Sequence, residues 1–238
     1  SNNTAIGHVS LTLNTTGDNN TAIGNGALSA NTTASNNTAV GYDALDKNTT
    51  GTNNVAIGAI ALDANTTGDS NTACGRASLG SNTTGNANTA VGINALANNT
   101  TASNNTACGD SALVLNTSGT YNSAVGSSAL LSNTTGQQNV AVGSFALDAA
   151  STADNNTAIG YNSLTDSTSG ALCTAVGSET LANNTSGGYN TAVGQNSLNA
   201  NTTGSSNTAV GQSALSTNTG GGGNTAIGVN ALQNNTTN

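Results

Sequence analysis

The sequence has 238 residues, of which only 5% are charged and 2% aromatic, with no Trp, Met or Pro, so a globular core of large side chains cannot be built from it. Ten acids against Lys47 and Arg76 leave a formal net charge of −8, which excludes a basic footprint for nucleic acid or for an anionic membrane. No apolar run approaches the roughly 18 residues of a membrane span, and no charged-then-apolar signal segment opens the sequence.

What the residues do contain is a period. Glycine recurs from Gly7 to Gly228 at an unbroken spacing of 17, giving 14 copies of one repeat, of which Asn37 to Asn53, NTAVGYDALDKNTTGTN, is representative. Numbered from its first Asn, the repeat holds Ala at position 3 (Ala5 to Ala226), Gly at position 5 and Leu at position 9 (Leu11 to Leu232) in every copy. Position 4 is always Ile, Val or Cys. Such a period implies an array in which each repeat touches only its neighbours, so residues 1–238 read as one continuous array, a window of a longer fibrous chain.

Within one repeat, N-T-A-V-G is a short β-branched segment that predicts a strand, with alternate side chains on opposite faces. The aliphatic residue at position 4 is expected inside and the small Ala at position 3 outside, against an identical chain. A second strand is expected from position 8 through the Leu to the N-T-T at positions 12 to 14, where Gly or Ala at position 15 turns the chain. Positions 6, 7, 10, 11, 16 and 17 vary freely and should face solvent. The fold class is therefore all-β, a parallel β-solenoid of 14 coils with 17 residues in each. Its expected core is the Leu column, with Leu11, Leu28, Leu45, Leu62, Leu96 and Leu113, and the position-4 column, with Ile23, Val40, Ile57 and Val91. Asn at positions 1 and 12 should form amide ladders along the stack.

The recurring N-T-A-[IV]-G, with N-V-A-[IV]-G at Asn54 to Gly58 and Asn139 to Gly143, resembles the head repeats of trimeric autotransporter adhesins. The longer N-T-A-V-G-x-x-A-L-x-x-N-T-T-G form also resembles repeats of phage tail fibres and related extracellular fibres. The resemblance implies a left-handed β-roll in a homotrimer or filament, outside the cell, on a cell surface or on a virion. The present repeat departs from the adhesin pattern in being longer and in carrying Thr where Val is usual.

Candidate sites are sparse. His8 is the sole histidine, at a variable position, and reads as incidental. Asp46 and Asp63, at position 10 of adjacent repeats beside Lys47, fall short of the six or more oxygens of a calcium site, so no metal and no cofactor is expected. Gly220 to Gly223 reads as a loosened corner, because no strand–loop–helix context or Lys follows it. Cys74 and Cys108 stand at position 4 and read as small buried hydrophobes, Cys173 stands in place of a position-1 Asn, and no intrachain disulfide is expected.

Asn14, Asn31, Asn48, Asn65, Asn82, Asn99, Asn116, Asn133, Asn184, Asn201 and Asn235 each begin an N-x-[ST] pattern, the acceptor for N-linked sugar. The competing reading is an Asn ladder followed by Thr, and a buried ladder Asn cannot also carry a glycan. Thr at positions 2, 13 and 14 could form the flat array of an ice- or polysaccharide-binding face, although Thr is also an ordinary β-former. Phe145, Tyr42, Tyr121, Tyr161 and Tyr189 are too sparse for a stacking platform but could touch sugar. With no convergent set of titratable groups, an enzyme is not expected. The function read from the sequence is an extracellular structural fibre or adhesin stalk. Its expected partners are copies of itself, with glycans or a cell surface as further contacts.

Overall fold

The computed structural model describes residues 2–236. It is all-β among those residues, with one three-residue strand in each coil and parallel strands spaced 17 residues apart. Two compact units divide the chain, residues 1–120 and 121–238. The first holds β1 (Thr4–Ile6), β2 (Thr21–Ile23), β3 (Thr38–Val40), β4 (Val55–Ile57), β5 (Thr72–Cys74), β6 (Thr89–Val91) and β7 (Thr106–Cys108). The second holds β8 (Ser123–Val125), β9 (Val140–Val142), β10 (Thr157–Ile159), β11 (Thr174–Val176), β12 (Thr191–Val193), β13 (Thr208–Val210) and β14 (Thr225–Ile227). Each unit is a β-solenoid in which sequential strands pair in register, so that Thr21, Ala22 and Ile23 lie against Thr38, Ala39 and Val40.

Hydrogen bonds run both ways along the stack. The position-2 N–H donates to the position-1 carbonyl of the next coil, as from Thr21 to Asn37 at 2.8 Å. The position-5 N–H returns to the position-4 carbonyl of the previous coil, as from Gly24 to Ile6 at 2.8 Å. These bonds commit the backbone polar groups that a thin core could not leave unpaired.

No second strand forms. Positions 6 to 12 are a chain of turns in which position 7 and the Leu at position 9 both take positive φ, as in Asp43 at 49° and Leu45 at 55°. The left-handed region costs an ordinary residue about 1–2 kcal/mol, and here neighbouring coils hold it in place. Leu45 N–H donates to the Ala61 carbonyl of the next coil at 2.9 Å, and Asn48 N–H closes back on the Leu45 carbonyl at 3.3 Å. A third left-handed residue, at position 17, turns the chain into the strand, as at Asn36 with φ 62°.

The interior holds one Leu per inner coil among Ala, Ser, Thr and Asn. Leu28, Leu45, Leu62, Leu96 and Leu113 are fully buried, while Leu11 in the first coil is half-buried. The expected inside and outside of the strand are reversed. Ala22, Ala39, Ala56 and Ala90 at position 3 have no exposed surface, whereas Ile23, Ile57 and Val91 are 37%, 42% and 39% exposed and Val40 is half-exposed. One coil already encloses a Leu, the position-8 residue and the amides of positions 1 and 12. A methyl group fills what remains, and the larger β-branched side chain is turned outward.

Candidate interaction surface

Turning position 4 outward places one aliphatic or thiol side chain per coil on the open face of the sheet. In the first unit this column is Ile6, Ile23, Val40, Ile57, Cys74, Val91 and Cys108; in the second it is Val125, Val142, Ile159, Val176, Val193, Val210 and Ile227. All are exposed or half-exposed. In-register pairing keeps successive members one strand spacing apart, about 4.8 Å. The column of position 2 runs beside it on the same face, mostly Thr, with Val55 and Val140 adding to the apolar character. Neither column contains a charged residue in any coil. Cys74 and Cys108 belong to this exposed column, which corrects the expectation of buried thiols; all three cysteines are free.

Two Asn columns pin the coil from inside. At position 12, the Asn31 amide donates to Asn14 Oδ1 at 2.9 Å and to the Ala34 carbonyl at 3.1 Å. At position 1, the Asn20 amide reaches the same Ala34 carbonyl at 2.8 Å, while its Oδ1 accepts from Asn37 N–H at 2.9 Å. One corner carbonyl thus takes two side-chain amides where a coil carries both asparagines, as that of Ala34 does. Asn31, Asn48, Asn65, Asn82, Asn99, Asn116, Asn133, Asn184 and Asn201 are fully buried, each with its amide donated inward. They are ladder residues, and their amide nitrogens are closed off in the folded chain. Asn14 and Asn235 are half-buried, and the acceptor triplet of Asn235 ends at Thr237, outside the described residues.

The ladders are interrupted at three places, Ala150 and Ser167 at position 12 and Cys173 at position 1. Cys173 keeps part of the pattern: its N–H donates to Asn156 Oδ1 at 2.9 Å and its Sγ lies 3.3 Å from the Gly187 carbonyl. Burial pushes its thiol pKa up, against weaker opposing hydrogen bonds from Asn190 and Tyr189.

The remaining candidates do not converge. Lys47 Nζ stands 4.0 Å from Asp63 Oδ2, and Asp46 Oδ1 accepts a short hydrogen bond from Ser29 Oγ. Burial raises the Asp63 carboxyl pKa, with Lys47 pulling the other way, and burial likewise raises that of Asp148, opposed by the Thr165 hydroxyl. Among the described residues, no three His, Cys, Asp or Glu side chains are grouped to hold a metal, and no pocket is present. His8 is exposed. Gly221, within the four-Gly run, supplies a ladder carbonyl to Asn207 and Asn218. Phe145 and Tyr161 meet edge to face at 6.3 Å, and Tyr42, Tyr121 and Tyr189 are exposed singly. No helix among the described residues is long and apolar enough to cross a membrane.

The column at position 4 was missed as a surface because hydrophobicity alone ranks Ile and Val above Ala for burial. The available signal was the invariance of the Ala: a position that never tolerates more than a methyl group is sterically enclosed, while position 4 accepts three side-chain shapes. No protein-family model and no curated protein matches the chain.

Proposed function

We propose that this chain is the structural subunit of an extracellular fibre, and that copies associate side by side through the aliphatic column of position 4. The observation that carries the reading is the column itself, an uncharged stripe held to Ile, Val or Cys in every coil, on the exposed face of the strands. Contiguous exposed apolar surface marks an interaction site, and charge depletion is the compositional mark of an interface core. A second copy is the partner that fits, since each of its units presents the same side chains at the same coil spacing. The work of such a protein is mechanical, and its hydrogen-bonded ladders supply the rigidity.

Sedimentation of the full chain tests this. The wild type should run as a multimer, and the pair Val91→Asp with Val142→Asp, one substitution in each unit, should run as a folded monomer with an unchanged far-ultraviolet spectrum. A wild type that stays monomeric at high concentration would overturn the reading.

A second reading rests on a different rank. Thr16, Thr33, Thr50, Thr67, Thr84 and Thr101 at position 14 are all exposed in successive coils, a hydroxyl array that could bind ice or polysaccharide. Growth inhibition of ice crystals by the wild type, lost on Thr50→Tyr, would establish it; normal crystal growth would remove it.

A further inference from the structure

We propose that the N-linked sugar acceptors of this chain are exposed asparagines that precede N-T, foremost those of position 17, which turn the chain into each strand, with Asn98 and Asn183 at position 11 also exposed and opening N-N-T, and not the buried asparagines of the N-T-T triplets. Asn19, Asn36, Asn104 and Asn155 each precede N-T, so each opens an N-x-T acceptor that overlaps the start of the next coil. In these N-N-T triplets the two asparagines part ways. The second is the buried position-1 ladder residue, and the first projects from the turn with φ between 58° and 62° and is exposed.

Asn and Gly are the residues that take this conformation most readily, so the turn requirement and the acceptor chemistry select the same side chain. The position-2 Thr that completes the acceptor is half-exposed at Thr21, Thr38 and Thr157 and exposed at Thr106, on the outer strand face where an enzyme can reach it. In the reaction, the Asn amide nitrogen bonds to the anomeric carbon of a phosphate-activated sugar. The bond from that carbon to the phosphate oxygen breaks, the phosphate leaves with the electron pair, and the amide gives up one proton.

Asn53 is an internal control. It shares the turn geometry, with φ 58°, and the exposure, but the residue two places on is Val55, so the acceptor is incomplete. The buried triplets are the opposite control, complete in sequence and closed in structure. Adjacent coils also limit loading: Asn19 and Asn36 are about one strand spacing, ~4.8 Å, apart, so a sugar on one covers the other. This proposal stands on burial and turn geometry; because the position-2 Thr shares the strand face through which copies are proposed to associate, the test is run on the Val91→Asp, Val142→Asp chain, in which that face is free, as well as on the wild type.

The test uses the purified, folded full chain with a soluble N-glycosyltransferase specific for N-x-[ST] and a nucleotide-activated hexose, followed by peptide mapping. Heat-denatured chain shows which sequences the enzyme accepts. The folded chain should take hexose at Asn104, at Asn155 and at one of Asn19 and Asn36, and none at Asn31, Asn48, Asn65 or Asn53. Val55→Thr combined with Asn36→Gln, which removes the neighbouring sugar, should add a site at Asn53. Hexose on the buried ladder of the folded chain would overturn the proposal. So would bare Asn104 and Asn155 in folded chain whose denatured form is loaded there, or no gain at Asn53 in that double variant.

Discussion

The α-carbon of Gly92 lies directly against the carbonyl of Gly109 in the next coil: a Cβ there would stand 2.4 Å from that oxygen, and the φ of 134° is itself closed to L side chains. The positive φ recurs at position 5 in every coil and the clash wherever a following coil of the same unit covers it, Gly228 having no such neighbour, which accounts for the glycine of the inner coils. Gly92→Ala is expected to destabilise the first unit by about 3 kcal/mol or more through backbone strain and the carbonyl clash. Gly223, with φ 72° and nothing within 4 Å of the added Cβ, should cost only ~1 kcal/mol on the same change. Thermal melts of the two variants would check the contrast; equal losses would mean that φ alone accounts for the cost.

Leu96 and Val91 sit five residues apart in one coil and face opposite ways, Leu96 enclosed and Val91 at the surface. Leu96→Ala should cost roughly 3–5 kcal/mol as a cavity in a packed interior. Val91→Thr should leave unfolding within about 0.5 kcal/mol of wild type, as surface changes do, and weaken association. Denaturant unfolding with sedimentation on the same samples separates the two effects. A folded-state loss of several kcal/mol for Val91→Thr would return position 4 to the core.

These two side chains also show where the sequence was readable. The period, the strand at positions 2 to 4, the Leu column and the paired Asn columns all follow from residues that repeat. The direction of the strand did not, because period-2 alternation fixes which residues share a face and leaves open which face is inside. The second strand was expected because the Leu and the N-T-T after it read as one β-forming run, and turn residues such as Asp43 and Asp46 beside Leu45 recur in too few coils to deny it. Its left-handed φ leaves no consistent trace, since position 7 takes the same conformation with β-branched Val9 and Ile60. The burial of the N-T-T asparagines was hidden for a related reason. N-T-T and N-N-T both match the pattern, and only burial separates Asn31 from Asn36.

The Asn ladder should respond asymmetrically. Asn82 donates to Asn65 Oδ1 at 2.9 Å and accepts from the Asn99 amide at 3.0 Å, so Asn82→Ala strands partners in both neighbouring coils and should cost about 3 kcal/mol. Ala150→Asn fills an interruption at position 12, where the new amide can reach the Ala153 carbonyl as other ladder residues reach theirs, and should add ~1 kcal/mol. Chemical denaturation of both variants checks the signs. A stabilised Asn82→Ala would show the ladder to be a tolerated feature and not a stabilising one.

The three thiols should divide by position. Cys74 and Cys108 are exposed and should alkylate in the folded chain, while Cys173, buried and held protonated by that burial, should react only on unfolding. Lateral association through position 4 further requires that mild oxidation couple chains through Cys74 or Cys108 and never through Cys173. Peptide mapping of the oxidised multimer reads this out. Cross-links confined to dilute, dissociated chain would count against the association face.

Acid should not weaken the protein through its two perturbed carboxylates. Burial raises Asp63 and Asp148 above the ordinary 3.8, so the folded state favours their neutral forms. The stability each contributes is then fully present below 3.8 and is lost as pH rises through the raised folded value. The melting temperature is expected to hold or rise between about pH 7 and about pH 3, the reverse of proteins whose carboxylates are salt-bridged. The paired substitution Asp63→Asn with Asp148→Asn should raise the melting temperature near neutrality and converge on wild type in acid. A wild type that melts markedly lower in acid, with the same slope in the double variant, would show that these carboxyls do not set the pH response.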